Sequence, residues 1–228
     1  MRLILTSQGQ YGADGTEYAT EIESFSKIIA HGTTGSGDAA GPTWFVVKTK
    51  DGKTMEYGNT TDSRVILPNT SSVYMWRVNK IKDSNNNYIT YTYEQTNGES
   101  YIKEIKYTGN STTGLLPFNK VRFSYKSSLR NDQNLKFIGG SQEPMTKLLD
   151  SIRVITYGDS LVRGYYFSYN DEFYSHLNQI KEYASDNSYR NATIFGWGAT
   201  KSTITNTDTV FNNGIKDKLT GWTYIKAC

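Results

Sequence analysis

Cysteine occurs once in these 228 residues, at Cys228. No disulfide inside the chain can staple it, so the fold must hold by packing and hydrogen bonding. Histidine is nearly as scarce, with only His31 and His176. The chain therefore lacks the Cys and His sets of a zinc centre, and neither histidine has a Ser or Asp pattern near it that would make a nucleophile relay. Long apolar runs are missing too. No stretch approaches the roughly 20 apolar residues of a membrane-spanning helix, and Met1–Leu5 holds an apolar run too short for a signal-peptide core. That start, and the strand-like Trp222–Cys228 at the other end, read as cuts through a longer protein. Charge of one sign is also lacking: 25 Lys and Arg against 22 Asp and Glu leave +3, and the basic residues are scattered along the chain. Such a balance excludes a nucleic-acid footprint.

What is plentiful is Tyr (18) and Gly (20), together with Thr, Ser and Asn. This is the composition of strands joined by polar turns, and it predicts an all-β fold of antiparallel meanders forming sandwich-like sheets. Alternation is plainest from Val73 to Tyr107. Trp76, Val78 and Lys80 fall on one face of an extended segment, Ile89, Tyr91 and Tyr93 resume the rhythm after a polar break, and Tyr101, Lys103, Ile105 and Tyr107 repeat it. Upstream, the segment Thr16–His31 has two periodicities: Tyr18, Ile22, Phe25 and Ile29 are spaced for a helix, whereas Thr20, Ile22, Ser24, Ser26 and Ile28 fit one extended strand, which the neighbouring meander favours. Thr43–Lys50 and Thr54–Tyr57 flank Asp51-Gly52, a type I′ hairpin signal. Residues 60–72 read as irregular. Further on, strands are expected at Val121–Tyr125, near Leu135–Ile138, and at Ala192–Trp197. The passage from Lys147 to Tyr183 resembles the earlier meander, with Phe167-x-Tyr169 answering Tyr91-x-Tyr93, so it reads as a degenerate repeat.

Candidate chemistry is thin. Asp83-x-Asn85-x-Asn87 has the alternating oxygens of a calcium loop, but it lacks the following glycine and the distal carboxylate, and it reads first as a turn. Glu21-x-Glu23 superficially matches paired glutamates of ADP-ribosylating toxins. Those need an arginine and a Ser-Thr-Ser strand far upstream, whereas Arg2 and Thr6-Ser7 are too near. The tyrosines suit either a glycan-stacking groove or the filling of a packed face. No catalytic residue and no cofactor is assigned.

A family resemblance can be named on these residues. The runs YGADGTEYATEIESFSKI, FVVKTKDGKTMEYGN, WRVNKIKDSNNNYITYTYE, IKEIKYTGN, VRFSY, LLDSIRV, YYFSYN and LNQIKEY, in that order, resemble the N-terminal SpvB-type region of bacterial RHS/YD-repeat proteins, among them the B component of insecticidal Tc toxin complexes. The signature residues are Asp51, Gly52, Tyr57, Gly58, Trp76, Ile81, Asp83, Asn87, Tyr91 and Tyr93. The resemblance implies a non-catalytic scaffold within a larger RHS-type assembly that encloses a C-terminal toxin, in a secreted or cell-surface protein. Its partners would be other domains of the same polypeptide and toxin-complex subunits. Residues 1–125 would form the first half of the region, 126–200 a second β-meander, and 201–228 a tail leading into a missing FG-GAP-type repeat. An adhesin or carbohydrate-binding module, or an enzyme domain with an unrecognised site, are the rival readings.

Overall fold

The fold was obtained as a computed structural model, which describes residues 2–37, 40–66, 68–133, 136–138, 140–171 and 174–197. The expected tail, 201–228, lies outside them. Strands follow one another almost without interruption: β1 (Leu3–Leu5), β2 (Glu17–Thr20), β3 (Lys27–His31), β4 (Trp44–Lys48), β5 (Thr54–Tyr57), β6 (Arg64–Ile66), β7 (Val73–Trp76), β8 (Val78–Lys82), β9 (Asn87–Thr96), β10 (Glu99–Asn110), β11 (Asn119–Tyr125), β12 (Lys136–Ile138), β13 (Ser141–Glu143), β14 (Leu149–Thr156), β15 (Ser160–Asp171), β16 (Ser175–Ala184) and β17 (Thr193–Ile194). Among the described residues, thirteen of these form one antiparallel sheet in the order β1-β2-β3-β4-β5-β8-β9-β10-β11-β14-β15-β16-β17. The all-β, antiparallel expectation holds. β6–β7 and β12–β13 form two further two-stranded ribbons. β11 pairs directly with β14, so residues before and after position 125 share the same sheet.

Near the chain start, the single strand expected through Ile22 is instead a hairpin. Thr20 Oγ1 donates to the Ile22 carbonyl at 2.7 Å and lies 2.8 Å from Ser24 Oγ, and Phe25 takes φ 54°. The side chain thus turns the backbone that its sequence pattern would have extended. Folding back sets Tyr18 opposite Ile28, and these two, with Ala30, form a buried cluster closed by Leu3, Leu5, Phe45 and Val47. Ile22 and Phe25 are left exposed at the tip.

Asp51-Gly52 does close the β4–β5 hairpin, but not as a type I′ turn. The Gly52 N–H donates to Thr49 O at 3.1 Å, and only Gly52 (φ 80°) is left-handed, the pattern of a type I turn followed by a bulge glycine. Residues 60–72, expected to be irregular, contain a 3-10 turn at Thr61–Ser63 and β6. The extended segment expected from Val73 onward is broken at Arg77, whose N–H donates to Ser63 O at 2.8 Å while its carbonyl accepts from Gly58 N–H at 2.9 Å. Arg77 thus marks the crossing point: its carbonyl continues the β5–β8 pairing of the large sheet, its N–H continues the β6–β7 pairing, and only β8 stays in the large sheet. The last expected strand shrinks to β17, because the Trp197 indole returns to Leu177 O at 2.7 Å.

The repeat is visible in the register. Tyr91 faces Ile105 and, past a bulge, Tyr93 faces Ile102; Phe167 faces Ile180 and, past a bulge, Tyr169 faces Leu177. Each second tyrosine also reaches back across its sheet, Tyr93 Oη to Val78 O at 2.7 Å and Tyr169 Oη to Leu149 O at 2.9 Å. Both carbonyls belong to the first residue of the preceding strand of their meander, so one device is used twice.

Gly58 has φ 75°, and a Cβ there would lie 2.5 Å from Trp76 Cδ1 and 3.2 Å from Thr43 O. Gly58→Ala should therefore destabilise the fold by about 2 kcal/mol or more in urea unfolding, combining backbone strain with overpacking. Gly15→Ala, at φ 76° with open space around it, should lose only about 1 kcal/mol.

Candidate functional site

The ten signature residues lie on β5, β7, β8 and β9 and in the turns at their ends. Trp76 anchors one end. Its indole N–H lies 3.1 Å from Pro42 O and 3.0 Å from Thr43 O, and its ring meets Phe45 edge-on at 5.0 Å. Gly58 passes directly beneath that ring. In the middle, Ile81 is the register partner of both Met55 and Ile89, and the Tyr57 hydroxyl donates to Met55 Sδ at 3.3 Å. Burial raises the Tyr57 pKa first, with nearby Tyr91 adding to it. Tyr93 carries the Arg77 guanidinium 5.7 Å from its ring centre, and burial pushes its phenol up to about 12. At the other end, Gly52 packs against the β8–β9 turn, where a Cβ would meet Ser84 Cβ at 3.3 Å.

That turn uses the oxygens of Asp83 for itself. Oδ1 accepts the N–H groups of Asn85 and Asn87, each at 2.9 Å, and Oδ2 accepts from Asn87 Nδ2 at 2.9 Å. Asn110 Nδ2 closes the ring with bonds to Asn85 O (3.2 Å) and Asn87 Oδ1 (2.9 Å). The calcium-loop candidates Asp83, Asn85 and Asn87 thus form an Asx turn stitched to the end of β10. Among the described residues there is no group of three or more His, Cys, Asp or Glu able to hold a metal. An open cleft of about 440 Å³ lies alongside, lined by Lys53, Ile81, Asp83, Tyr88, Tyr107 and Thr108 among others. Thr108, a β-branched residue at φ 80°, is the strained point of its wall. His31 stacks on Trp44 at 4.2 Å, His176 lies 5.1 Å from the Trp197 ring, and Glu21 and Glu23 sit in the exposed β2–β3 turn.

Several polar clusters could not be read from the chain, because each includes a bond between distant segments. Buried Glu99 accepts from the Tyr101 hydroxyl at 2.7 Å and from Thr146 Oγ1 at 2.9 Å, pinning the segment before β14 onto β10. Tyr74 Oη donates to Glu143 at 2.6 Å, joining the two ribbons. Arg130 grips Asp132 with two bonds of 2.9 Å, and Ser175 adds a third at 2.7 Å; these hold the Asp132 carboxyl well below its usual range. Arg130-x-Asp132 was the only local hint of such a clamp.

This signature, together with the strand order, can be set against known proteins. The family described as "SpvB: Salmonella virulence plasmid 65kDa B protein" matches residues 6–123, just over half of the chain. The chain belongs to this family. None of the curated proteins matches at a significant level. Solved structures share the fold. The N-terminal domain of effector protein SpvB from Salmonella typhimurium strain LT2 aligns with a TM-score of 0.61 at 15% identity, over 74% of this chain and 68% of that one. A TcdB2-TccC3-Cdc42 crystal structure aligns at 0.63 and 14% identity, over 84% of this chain. The Tc holotoxin pore of Photorhabdus luminescens aligns at 0.60 and 15% identity, over 85%. In both Tc structures this SpvB-family chain corresponds to 12% of the longer protein. The chain is thus an SpvB-family module whose fold is shared with components of Tc toxin complexes. Among its described residues no helix is long and apolar enough to cross a membrane.

Titration provides two checks. The Lys53 ammonium, then the Thr49 hydroxyl, hold Asp51 down to about 2, and Asn87, outweighing desolvation, holds Asp83 below its usual value. Since both folded values lie under the unfolded value of roughly 4, the two turns should be intact above that pH and loosen as pH falls below it. Carboxyl-carbon NMR shifts and Asn87 amide exchange will report this. Burial raises Tyr93 and Tyr125 to about 12. Their contribution is therefore complete below the unfolded value of about 10 and lost as pH rises through 12. Absorbance titration at high pH should show these two phenols ionising late, and Tyr93→Phe should remove one late step.

Proposed function

We propose that this SpvB-family chain is a non-catalytic wall segment of a bacterial RHS- or Tc-like toxin, secreted or displayed at the cell surface, that helps contain and deliver a toxin carried by the same polypeptide. Residues 1–125 and 126–200 would act as two successive meanders of that wall, and 201–228 would lead onward to further domains. The observation that carries this reading is how the aromatic side chains are used. Tyr93, Tyr125 and Tyr169 each donate to a carbonyl on the preceding strand, and Trp76 locks the β4–β5 hairpin to β7. Residues so engaged build a surface rather than turn over a substrate. The family match supports the same reading, as does the fold shared with Tc components. Partners would be RHS repeats, a propeller, a C-terminal toxin and toxin-complex subunits.

One observation favours a second reading, a glycan-binding module: Tyr88 and Tyr107 line the open cleft beside Asp83, Asn87 and Lys53, an aromatic and polar mixture suited to sugar rings.

Two measurements separate these readings. Sequencing the DNA on either side should reveal RHS repeats and a variable toxin domain in the same reading frame, and their absence would overturn the wall assignment. On a glycan array the 228-residue chain should bind nothing. Binding that disappears in Tyr88→Ala, with the thermal transition unchanged, would establish the second reading instead, and reproducible turnover of any substrate by the chain would sink both.

A further inference from the structure

Glu104, Arg122, Arg153, Gly164 and Tyr183 are successive register partners across β10, β11, β14, β15 and β16. Residues directly opposite in an antiparallel sheet project from the same face, so these five form one transverse row. The rows on either side add Lys106 and Lys120, which are register partners of each other, and Ser124, Ser151, Tyr166 and Lys181. Most of these cations are accounted for. Glu104 meets Arg122 at 3.0 Å and Lys106 at 3.2 Å, and those two cations hold its carboxyl below the usual range against the opposing effect of burial. Lys120 is paired with Asp159, and Lys181 lies over the Tyr189 ring at 5.8 Å.

Arg153 is the exception. It is half-buried, its Nε is shielded from solvent without a hydrogen-bond partner, and among the described residues no carboxylate faces it. Its neighbour across β11 is another cation, Arg122, and like charges directly opposite each other destabilise a sheet. Desolvating an unpaired guanidinium nitrogen adds to that penalty. An oxyanion between the two arginines, meeting the outer nitrogens of the guanidinium, would offset the like-charge repulsion.

We propose that this face is a docking site for a carboxylate side chain from an acidic segment of a partner protein. The inference goes beyond the wall reading, since that reading requires no particular charge on either face. Three features select the occupant. Among the described residues Arg153 is the one cation of these rows with neither a carboxylate nor a ring against it, so the site offers a single free guanidinium; this suits a monoanionic carboxylate better than a dianionic phosphate. A guanidinium fork fits a planar carboxylate with two parallel bonds. And the face is open: the Arg122 side chain is 37% exposed and Tyr166, beside Arg153 in the next row, is also 37% exposed. An open face with an aromatic next to its charge suits a protein surface better than a free small acid.

The test uses the 228-residue chain with hexaglutamate as probe, followed by calorimetry at fixed ionic strength. Hexaglutamate should bind the parent chain, and Arg153→Gln should weaken it by about tenfold or more. Arg163→Gln should leave binding unchanged, since Arg163 faces Val154 on the opposite side of the sheet and pairs with Glu182. Inorganic phosphate at matched ionic strength should not compete. Should Arg153→Gln fail to fold, Arg153→Lys keeps the charge while losing the fork, and is expected to weaken binding in the same direction. The proposal is overturned if the parent chain does not bind hexaglutamate, if the folded Arg153 variants bind as tightly as the parent, or if phosphate displaces the peptide.

Discussion

The Trp76 ring seated on Gly58 is the contact on which the first half of the sheet depends. It forces a glycine at a position that also requires positive φ, and it brings the indole N–H onto the carbonyls that precede β4. Through that one side chain, three segments are locked together: the entry to β4, the exit from β5, and β7. Once they are fixed, Arg77 must turn out of the sheet, and β8 enters it in the only register that puts Ile81 between Met55 and Ile89. The signature residues read from the sequence lie on and beside the strands that this contact ties together.

Further along, the same problem is solved differently. A long antiparallel sheet with both faces half-wet has little fully buried apolar area; the described core is small, with Tyr18, Ile28 and Ala30 as its buried cluster. Cross-strand tyrosine hydroxyls then do part of the holding. Each one donates to a carbonyl on the strand before it, so a ring lies across two strands and its polar tip is satisfied. Bulges at matching places in the β9–β10 and β15–β16 hairpins aim these rings the same way. A sheet stabilised in this manner extends readily by repetition, and it leaves charged rows such as that of Arg122 and Arg153 facing outward.

Much of the fold was legible beforehand, and the reasons are specific. Period-two alternation placed β9, β10, β11, β14, β15 and β16, because each is a strand with one drier face. Asp51-Gly52 announced a hairpin, although the type I′ turn it signals gives way to a type I turn followed by a bulge glycine. Alternation misled at Thr16–His31, where the Thr20 hydroxyl captures the backbone and folds one apparent strand into two. It misled again at Arg77, where a break has no signature in hydropathy. Of the candidate site, the signature residues were visible as a pattern, and the run from Asp83 to Asn87 read first as a turn, which is where Asp83 uses its oxygens; the bonds from Asn110 that stitch this turn to β10 were not visible, because they join distant segments.

By itself the sequence determined the β class, the antiparallel meander and the family signature, because these follow from local alternation and from turn residues whose conformational demands are intrinsic. Only the tertiary structure decided which strand leaves the sheet at Arg77, how buried Glu99 ties β10 to Thr146, and that Arg153 faces Arg122 rather than a carboxylate. Those outcomes depend on register, and a one-residue shift in pairing changes every neighbour across a sheet.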